Sequence, residues 1–186
     1  DPKLFTAISD LEVEQKEMKG KFWYIKYPVE DSDEFLTIAT TRPETMLGDT
    51  AVAVNPEDDR YKHLKGKNVI LPIMNRPIPI IFDKYSNPEK GSGAVKITPA
   101  HDFNDFEVGK RHKLEMINIF NSDASINENG PDIYIVLDRF KARKKIIEHM
   151  KSLNLFVKEE NITHTVPHGD RSNVIVEPWL MDQWYV

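Results

Sequence analysis

A threonine-rich segment, residues 37–45, is the first part of the chain whose side chains could carry chemistry. It brings four threonines together with Arg42 at the end of a predicted strand. Threonine hydroxyls donate and accept hydrogen bonds, and an arginine can fork onto a phosphate or a carboxylate. The segment is therefore suited to a polar ligand. Its spacing alone somewhat favours a purely structural role, because threonine is a strand former and Pro43 would end a strand.

A second segment combines a strand with the start of a helix. Lys96 and Thr98 lie two residues apart in the predicted strand, so both point to one face. Asp102 and Asp105 lie three apart in the first turn of the predicted helix, which places their carboxylates near one another. Because a helix N-terminus stabilises carboxylates, we expect both to be ionised and able to hold a cation such as an α-ammonium group. The alternative is a capped helix with Asp102 as the N-cap.

The histidines offer weaker signals. His101 is a possible acid or base, although such a residue is more often a structural hydrogen bonder. His164, His168 and Asp170 suggest a metal site, but the HExxH pattern is missing and the segment is not predicted to be helical, so we predict no metal. There is no cysteine, no P-loop and no G-x-S-x-G elbow. The residues alone thus indicate a domain that binds a small ligand bearing an amine or a phosphate.

The elements that position these residues are mostly short strands. A hairpin is predicted from residues 11–14 and 21–27, with further strands at 35–41, 50–54, 69–71, 78–82, 93–98 and in the tail after 155. Two helices are predicted, from 102 to 112 with Phe103 and Phe106 on the buried side, and from 138 to 153. This pattern predicts an α+β fold with a curled or barrel-like, mostly antiparallel β core and a few flanking helices.

Composition limits the partners. The 186 residues contain 25 Lys and Arg against 30 Asp and Glu, and most of the net charge of −5 lies in residues 1–34. An acidic balance argues weakly against a dedicated nucleic-acid-binding domain. No apolar run approaches the ~20 residues of a membrane span. Without an initiator Met or a signal-peptide pattern, the chain reads as a piece of a longer cytoplasmic protein.

Two long motifs carry a resemblance to a known family. Residues 39–54 resemble the threonine-rich peptide of class I aminoacyl-tRNA synthetase editing domains, and residues 91–112 resemble their second motif. The flanks at 6–14 and 176–186 are similar as well. The isoleucyl and leucyl enzymes share this framework, but residues 96–102 look like the valyl form. The chain thus resembles the inserted connective editing domain of the valyl-tRNA synthetase family.

That resemblance implies an activity and its partners. The activity is hydrolysis of mischarged threonyl-tRNA(Val). The partners are the acceptor end of the valine tRNA, its threonyl moiety and the remainder of the synthetase, with no membrane. No cofactor is implied here, since ATP and Mg belong to the synthetic core. Residues 35–159 would form the editing domain proper, and 1–34 and 160–186 would lead from and back to the core. There are two alternatives. One is an isolated binding module without turnover, and the other is editing of the leucyl or isoleucyl type.

The resemblance also implies residue roles. The catalytic residues, which pair with the α-ammonium group or lie beside the ester, are Asp105, Thr40 and Thr41. The substrate-binding residues are Arg42, Thr45, Asp49, Lys96, Thr98, His101 and Asp102. Among them, Asp102 and Lys96 match positions that read the threonine hydroxyl. Relatives often carry cysteine in the stretch corresponding to 164–172, and this chain has none, so the resemblance does not imply a metal there.

Overall fold

The computed structural model describes residues 1–180, and in that range the chain forms seven strands and two α-helices. Residues 181–186 lie outside the described residues. They form the end of the motif at 176–186 and of the segment 160–186 that is expected to lead back to the core. The strands form two sheets. None of the described helices is long and apolar enough to cross a membrane.

The first sheet is an antiparallel set of three strands in the order β2-β1-β7. Its strands are β1 (Val13–Pro28), β2 (Phe35–Thr40) and β7 (Phe156–Gly169). The predicted hairpin within residues 11–27 is wrong, because one continuous strand runs through Gly20. This glycine does not turn the chain. It pairs with Ile162 and makes room for a neighbouring ring, since a Cβ there would lie 2.5 Å from His164 Nε2.

The second sheet is mixed, with the order β4-β5-β3-β6. Its strands are β3 (Ala51–Val54), β4 (Asn68–Leu71), β5 (Arg76–Phe82) and β6 (Ala94–Ile97). Only β3 and β5 run parallel. All four residues of β3 are buried, which explains its unbroken apolar sequence. The predicted α+β fold with a mostly antiparallel core is confirmed, although the described strands form two sheets and no closed barrel.

Both predicted helices are present, α1 (Phe103–His112) and α2 (Arg139–Ser152). The side chain of Asp102 caps α1 by accepting from the backbone N–H groups of Asn104 and Asp105, at 2.8 and 3.1 Å. The prediction that Phe103 is buried is wrong, because its side chain is 78% exposed. Helix α1 is instead rotated so that Asp105 faces the interior, and the Asp102 cap sets that rotation.

A chain of buried ion pairs ties α2 to the threonine-rich segment. Glu44, in a 3-10 turn at Pro43–Gly48, is fully buried and accepts two hydrogen bonds from Arg143 at 2.7 Å and one from Arg42 at 3.3 Å. Arg42 also pairs with Glu177, which in turn accepts from Arg139 at 2.7 Å. Removing one member would leave a buried charge without its partner, so these contacts hold α2 and residue 177 against the end of β2.

At Gly109, helix α1 lies very close to Pro99, which follows the end of β6. A Cβ at this position would lie 2.8 Å from two side-chain atoms of Pro99. Overpacking of this kind costs about 1–3 kcal/mol, against a helix-propensity gain of about 1 kcal/mol. We therefore expect Gly109→Ala to lower the free energy of unfolding by about 1 kcal/mol, measured by urea titration. The exposed neighbour Lys110→Ala should stay within about 0.5 kcal/mol, and a Gly109→Ala protein of unchanged stability would contradict the packing argument.

Candidate active site

A cleft of about 620 Å³ opens where the two sheets meet the start of α1. Its wall is built from the end of β2, the 3-10 turn that follows, β6, the N-terminus of α1 and the middle of β7. Nine of the ten predicted site residues line it: Thr40, Thr41, Arg42, Thr45, Lys96, Thr98, His101, Asp102 and Asp105. The tenth, Asp49, lies behind the wall.

Lys96 occupies the centre of a buried polar network. Its ammonium group donates to Thr45 Oγ1 at 2.6 Å, to Asp49 Oδ1 at 2.9 Å and to Thr98 Oγ1. Asp49 is fully buried and accepts two further hydrogen bonds, from the hydroxyls of Thr98 at 2.6 Å and Tyr27 at 2.8 Å. Burial, with the neighbouring Asp49, holds the pKa of Tyr27 well above its usual value, so the phenol keeps its proton and donates.

Asp105 is the buried carboxylate of the cleft. Its Oδ2 accepts from the backbone N–H of Thr98 at 2.9 Å, which joins α1 to the end of β6. Burial, aided by the charge of Asp102, raises the pKa of Asp105 to about 6, while Lys96 and the Thr98 N–H act in the opposite direction. At pH 7 this carboxyl is still mostly ionised, so it can hold a cation.

The threonine-rich edge is held by backbone contacts. Thr40 Oγ1 accepts from the backbone N–H of Arg42 at 3.0 Å, and the Arg42 guanidinium donates to the carbonyl oxygen of His101 at 2.9 Å. This guanidinium also pairs with Glu44 and Glu177, yet it remains about a quarter exposed and lines the cleft. Sequence reasoning missed both glutamates as partners of the site.

His101 has both ring nitrogens engaged. Nε2 accepts from the backbone N–H of Ile119 at 2.9 Å, so Nδ1 carries the proton and donates to the carbonyl oxygen of Pro178 at 3.1 Å. Burial lowers the pKa of His101 to about 3, and the ring is neutral at physiological pH. The geometry therefore favours the structural alternative over an acid or base role. No cluster of three or more His, Cys, Asp or Glu side chains able to hold a metal occurs within residues 1–180.

One wall of the cleft was not predicted. The ribbon of β1 and β7 contributes Phe22, Ile162 and His164, and the loop before β6 contributes Tyr85. The Tyr85 hydroxyl lies beside the Asp105 carboxyl, and burial together with that carboxyl raises the pKa of Tyr85. All four residues lie outside the two motifs at 39–54 and 91–112, so no motif spacing marks them.

Comparison with known proteins agrees with this geometry. A family model described as "Leucyl-tRNA synthetase, editing domain" matches residues 63–135. A ternary LeuRS–tRNA–LeuAMS complex from Agrobacterium radiobacter K84 has a similar fold, with a TM-score of 0.59 and 20% identity over 80% of this chain and 20% of that chain. The fold and the motifs together define an editing domain of an aminoacyl-tRNA synthetase.

The sequence comparison then identifies the particular family. The valine–tRNA ligase of Pelagibacter ubique is 63% identical over all of this chain and 21% of its own length. That of Carboxydothermus hydrogenoformans is 60% identical, again over all of this chain and 21% of its own length. The chain belongs to the valine–tRNA ligase family, as its editing domain. It spans about a fifth of the length of the curated relatives it matches.

The raised pKa of Asp105 can be measured directly. In a protein with ¹³C-labelled aspartate carboxyls, we expect the Asp105 signal to titrate near pH 6. Replacing Asp102 by Asn keeps an oxygen for the helix cap but removes a nearby negative charge, so the Asp105 pKa should fall. The exposed Asp132→Asn is the matched control and should leave the titration in place. A midpoint near 4 in the unmodified protein would show that the carboxyl is not desolvated.

Proposed function

We propose that this chain is the post-transfer editing unit of its parent ligase and hydrolyses the ester that joins threonine to the valine tRNA. The observation that carries the proposal is a buried carboxylate, Asp105, in a cleft of about 620 Å³ that is also lined by the threonines Thr40, Thr41, Thr45 and Thr98. A buried anion suits an α-ammonium group, and hydroxyls suit a second hydroxyl.

A physical limit on the synthetic site explains the need for such a domain. Threonine and valine have nearly the same shape, and a hydrophobic pocket cannot strongly reject an isostere that adds a hydroxyl. Valyl-tRNA synthetase is the established example of this limit. A second, polar site can reject valine instead, because valine would leave its hydrogen-bonding groups unpaired at a cost of about 1–3 kcal/mol each.

Each residue then has a role in the proposed site. Asp105 pairs with the α-ammonium group, while Thr40 and Thr41 lie beside the ester and the terminal adenosine. Arg42 contacts the tRNA end. The groups that surround the amino-acid side chain in this proposal are Thr45, Lys96, Thr98 and Asp102, which all line the cleft.

The chain supplies no covalent nucleophile for the proposed hydrolysis. A water oxygen adds to the ester carbonyl carbon, and the carbon–oxygen bond to the ribose then breaks. The ribose oxygen takes a proton that ultimately derives from the attacking water, so the products are threonine and free tRNA. Orientation of the ester and electrostatic stabilisation of the developing oxyanion would supply the acceleration.

The parent enzyme supplies the remaining partners in this proposal. Residues 35–159 would form the editing domain proper, and 1–34 and 160–186 would lead from and back to a cytoplasmic synthetic core that uses ATP and Mg. The antiparallel pairing of β1 with β7 supports this division, since it brings the incoming and outgoing segments side by side. Most of the affinity for tRNA would reside outside this acidic chain.

One experiment separates editing from the alternative in which the chain binds the acceptor end without turnover. The other alternative, editing of the leucyl or isoleucyl type, requires the same assay with mischarged leucine and isoleucine tRNAs. Valine tRNA charged with threonine or with valine is incubated with the isolated chain and, in parallel, with the complete ligase. We expect threonyl-tRNA to decay at least about tenfold faster than valyl-tRNA with both proteins. Decay only with the complete ligase would identify the isolated chain as a binding module.

The ammonium anchor is tested by Asp105→Asn, which keeps the side-chain shape but removes the charge. Losing a charge-assisted hydrogen bond in a buried site costs about 2–5 kcal/mol, so kcat/KM for threonyl-tRNA hydrolysis should fall on the order of 10² or more. The exposed Asp10→Asn should leave it unchanged. Full activity in Asp105→Asn would remove this residue from the mechanism.

The pH profile gives an independent test of the same group. Asp105 must be ionised to pair with an ammonium, and its pKa is raised to about 6. We expect kcat/KM to be nearly constant above about pH 7 and to fall about tenfold per pH unit below about pH 5. Asp105→Asn should abolish that acid limb in its residual activity. An acid limb that persists in the variant would assign it to another group.

A further inference from the structure

We propose that Asp49, acting through Lys96, fixes the hydroxyls of Thr45 and Thr98 as hydrogen-bond acceptors toward the cleft. The site would then select an amino acid whose side chain donates a hydrogen bond. This inference rests on the proposed editing function and assigns its selectivity to a positioning residue, Asp49, that lies outside the cleft.

The Lys96 ammonium group has no unused hydrogen-bond donor. An ammonium group has three N–H donors and no acceptor. All three are used within the protein, by Thr45 Oγ1, Asp49 Oδ1 and Thr98 Oγ1. The side chain is 6% exposed, so bulk water does not compete for them. Lys96 therefore has no donor left for a substrate hydroxyl, although its position in the motif suggests that it reads this group.

The hydroxyls of Thr45 and Thr98 each retain one acceptor lone pair. Each has one proton and two acceptor lone pairs, and each uses one lone pair to accept from Lys96. The Thr98 proton goes to Asp49 Oδ1 at 2.6 Å, and the Thr45 proton goes to the carbonyl oxygen of Arg42 at 3.0 Å. One lone pair on each hydroxyl remains uncommitted. Both residues line the cleft but are nearly buried, with Thr45 2% and Thr98 1% exposed, so these lone pairs are also shielded from bulk water.

The Asp49 carboxylate fixes this orientation of the hydroxyls. Three donors converge on the Asp49 carboxylate, from Lys96, Thr98 and Tyr27. Burial raises the pKa of Asp49 and these three donors oppose that rise, so each donor is held in place while the carboxyl is ionised. Without this anion, the Lys96 ammonium would have no buried counter-charge and the Thr98 hydroxyl would lose the acceptor of its proton. The hydroxyl protons would then be free to turn. Asp49 thus controls the polarity of the wall without touching the substrate.

The functional consequence follows from these acceptors. A threonine side chain can donate its hydroxyl proton to one of the free lone pairs. Valine has the same shape and no donor, so it leaves them unpaired and desolvated. If Lys96 instead donated directly to the substrate, the threonine hydroxyls of the protein would contribute little to selection.

The decisive variant is Thr98→Val, made in the complete ligase. It keeps the approximate volume of the side chain and removes the hydroxyl, which takes away the free lone pair together with the donor to Asp49 and one acceptor of Lys96. We expect the ratio of kcat/KM for threonyl-tRNA over valyl-tRNA hydrolysis to fall about tenfold. Thr98→Ser retains the hydroxyl and should stay within about twofold of the unmodified ratio. The matched control is Thr50→Val, since Thr50 is buried nearby and its hydroxyl has no partner in the described structure.

Asp49 is tested by Asp49→Asn and by the same change combined with Thr98→Val. Asp49→Asn should lower the threonyl-to-valyl ratio, and its further effect should be smaller in the Thr98→Val background, because only the Thr45 hydroxyl then remains for it to orient. A general loss of structure would lower both rates and leave the ratio intact. Thermal unfolding identifies variants that fail to fold.

Two results would overturn the inference. One is an unchanged ratio in Thr98→Val, which would return the recognition to Lys96. The other is an equal fall in Thr98→Ser and Thr98→Val, which would assign the effect to packing of the methyl group. Binding of non-hydrolysable threonyl- and valyl-adenosine analogues provides the same ratio without turnover. Failure of the unmodified ligase to hydrolyse threonyl-tRNA would therefore reject the proposed function and still leave this inference tested.

Discussion

The pair formed by Lys96 and Asp49 is the constraint on which the cleft depends. Both charges are buried, and a buried charge is stable only when it is paired and fully hydrogen-bonded. Satisfying them requires Tyr27 from β1, Thr45 from the 3-10 turn and Thr98 from the end of β6. One ion pair therefore joins the two sheets beneath the cleft, beside the hydrophobic core that they share, and the hydrogen-bonding polarity of the cleft is a consequence of how that pair is satisfied.

A second set of charges extends this constraint outward. Arginines and glutamates alternate from α2 through the 3-10 turn to the segment near residue 177. Because Arg42 belongs both to this chain of ion pairs and to the cleft, a shift of α2 or of the returning segment would alter the threonine-rich edge. The editing site is thus mechanically connected to the part of the chain proposed to lead back to the synthetic core.

Local chemistry could be predicted from the sequence, and the orientation of whole elements could not. Strand periodicity placed Lys96 and Thr98 on one face, and Asp102 was recognised as a possible helix cap. The hairpin prediction was wrong because a glycine that usually marks a turn serves a close approach to His164 instead. The hydrophobicity of Phe103 predicts a core position, but in the helix that Asp102 caps this side chain points outward and Asp105 faces the interior. The wall formed by β1 and β7 depends on pairing between strands that are far apart in the sequence, which no short motif can predict.

The buried carboxylate shows how an energetic cost can serve binding. Asp105 is less stable as an anion in the empty cleft than in water, as its raised pKa indicates. An incoming α-ammonium group replaces the solvation that burial removed, so binding recovers free energy that the folded protein has already lost. The same ammonium is common to every aminoacyl ester and gives no selectivity. Discrimination must therefore come from the groups around the amino-acid side chain, where the proposed uncommitted lone pairs of Thr45 and Thr98 distinguish a hydroxyl from a methyl group.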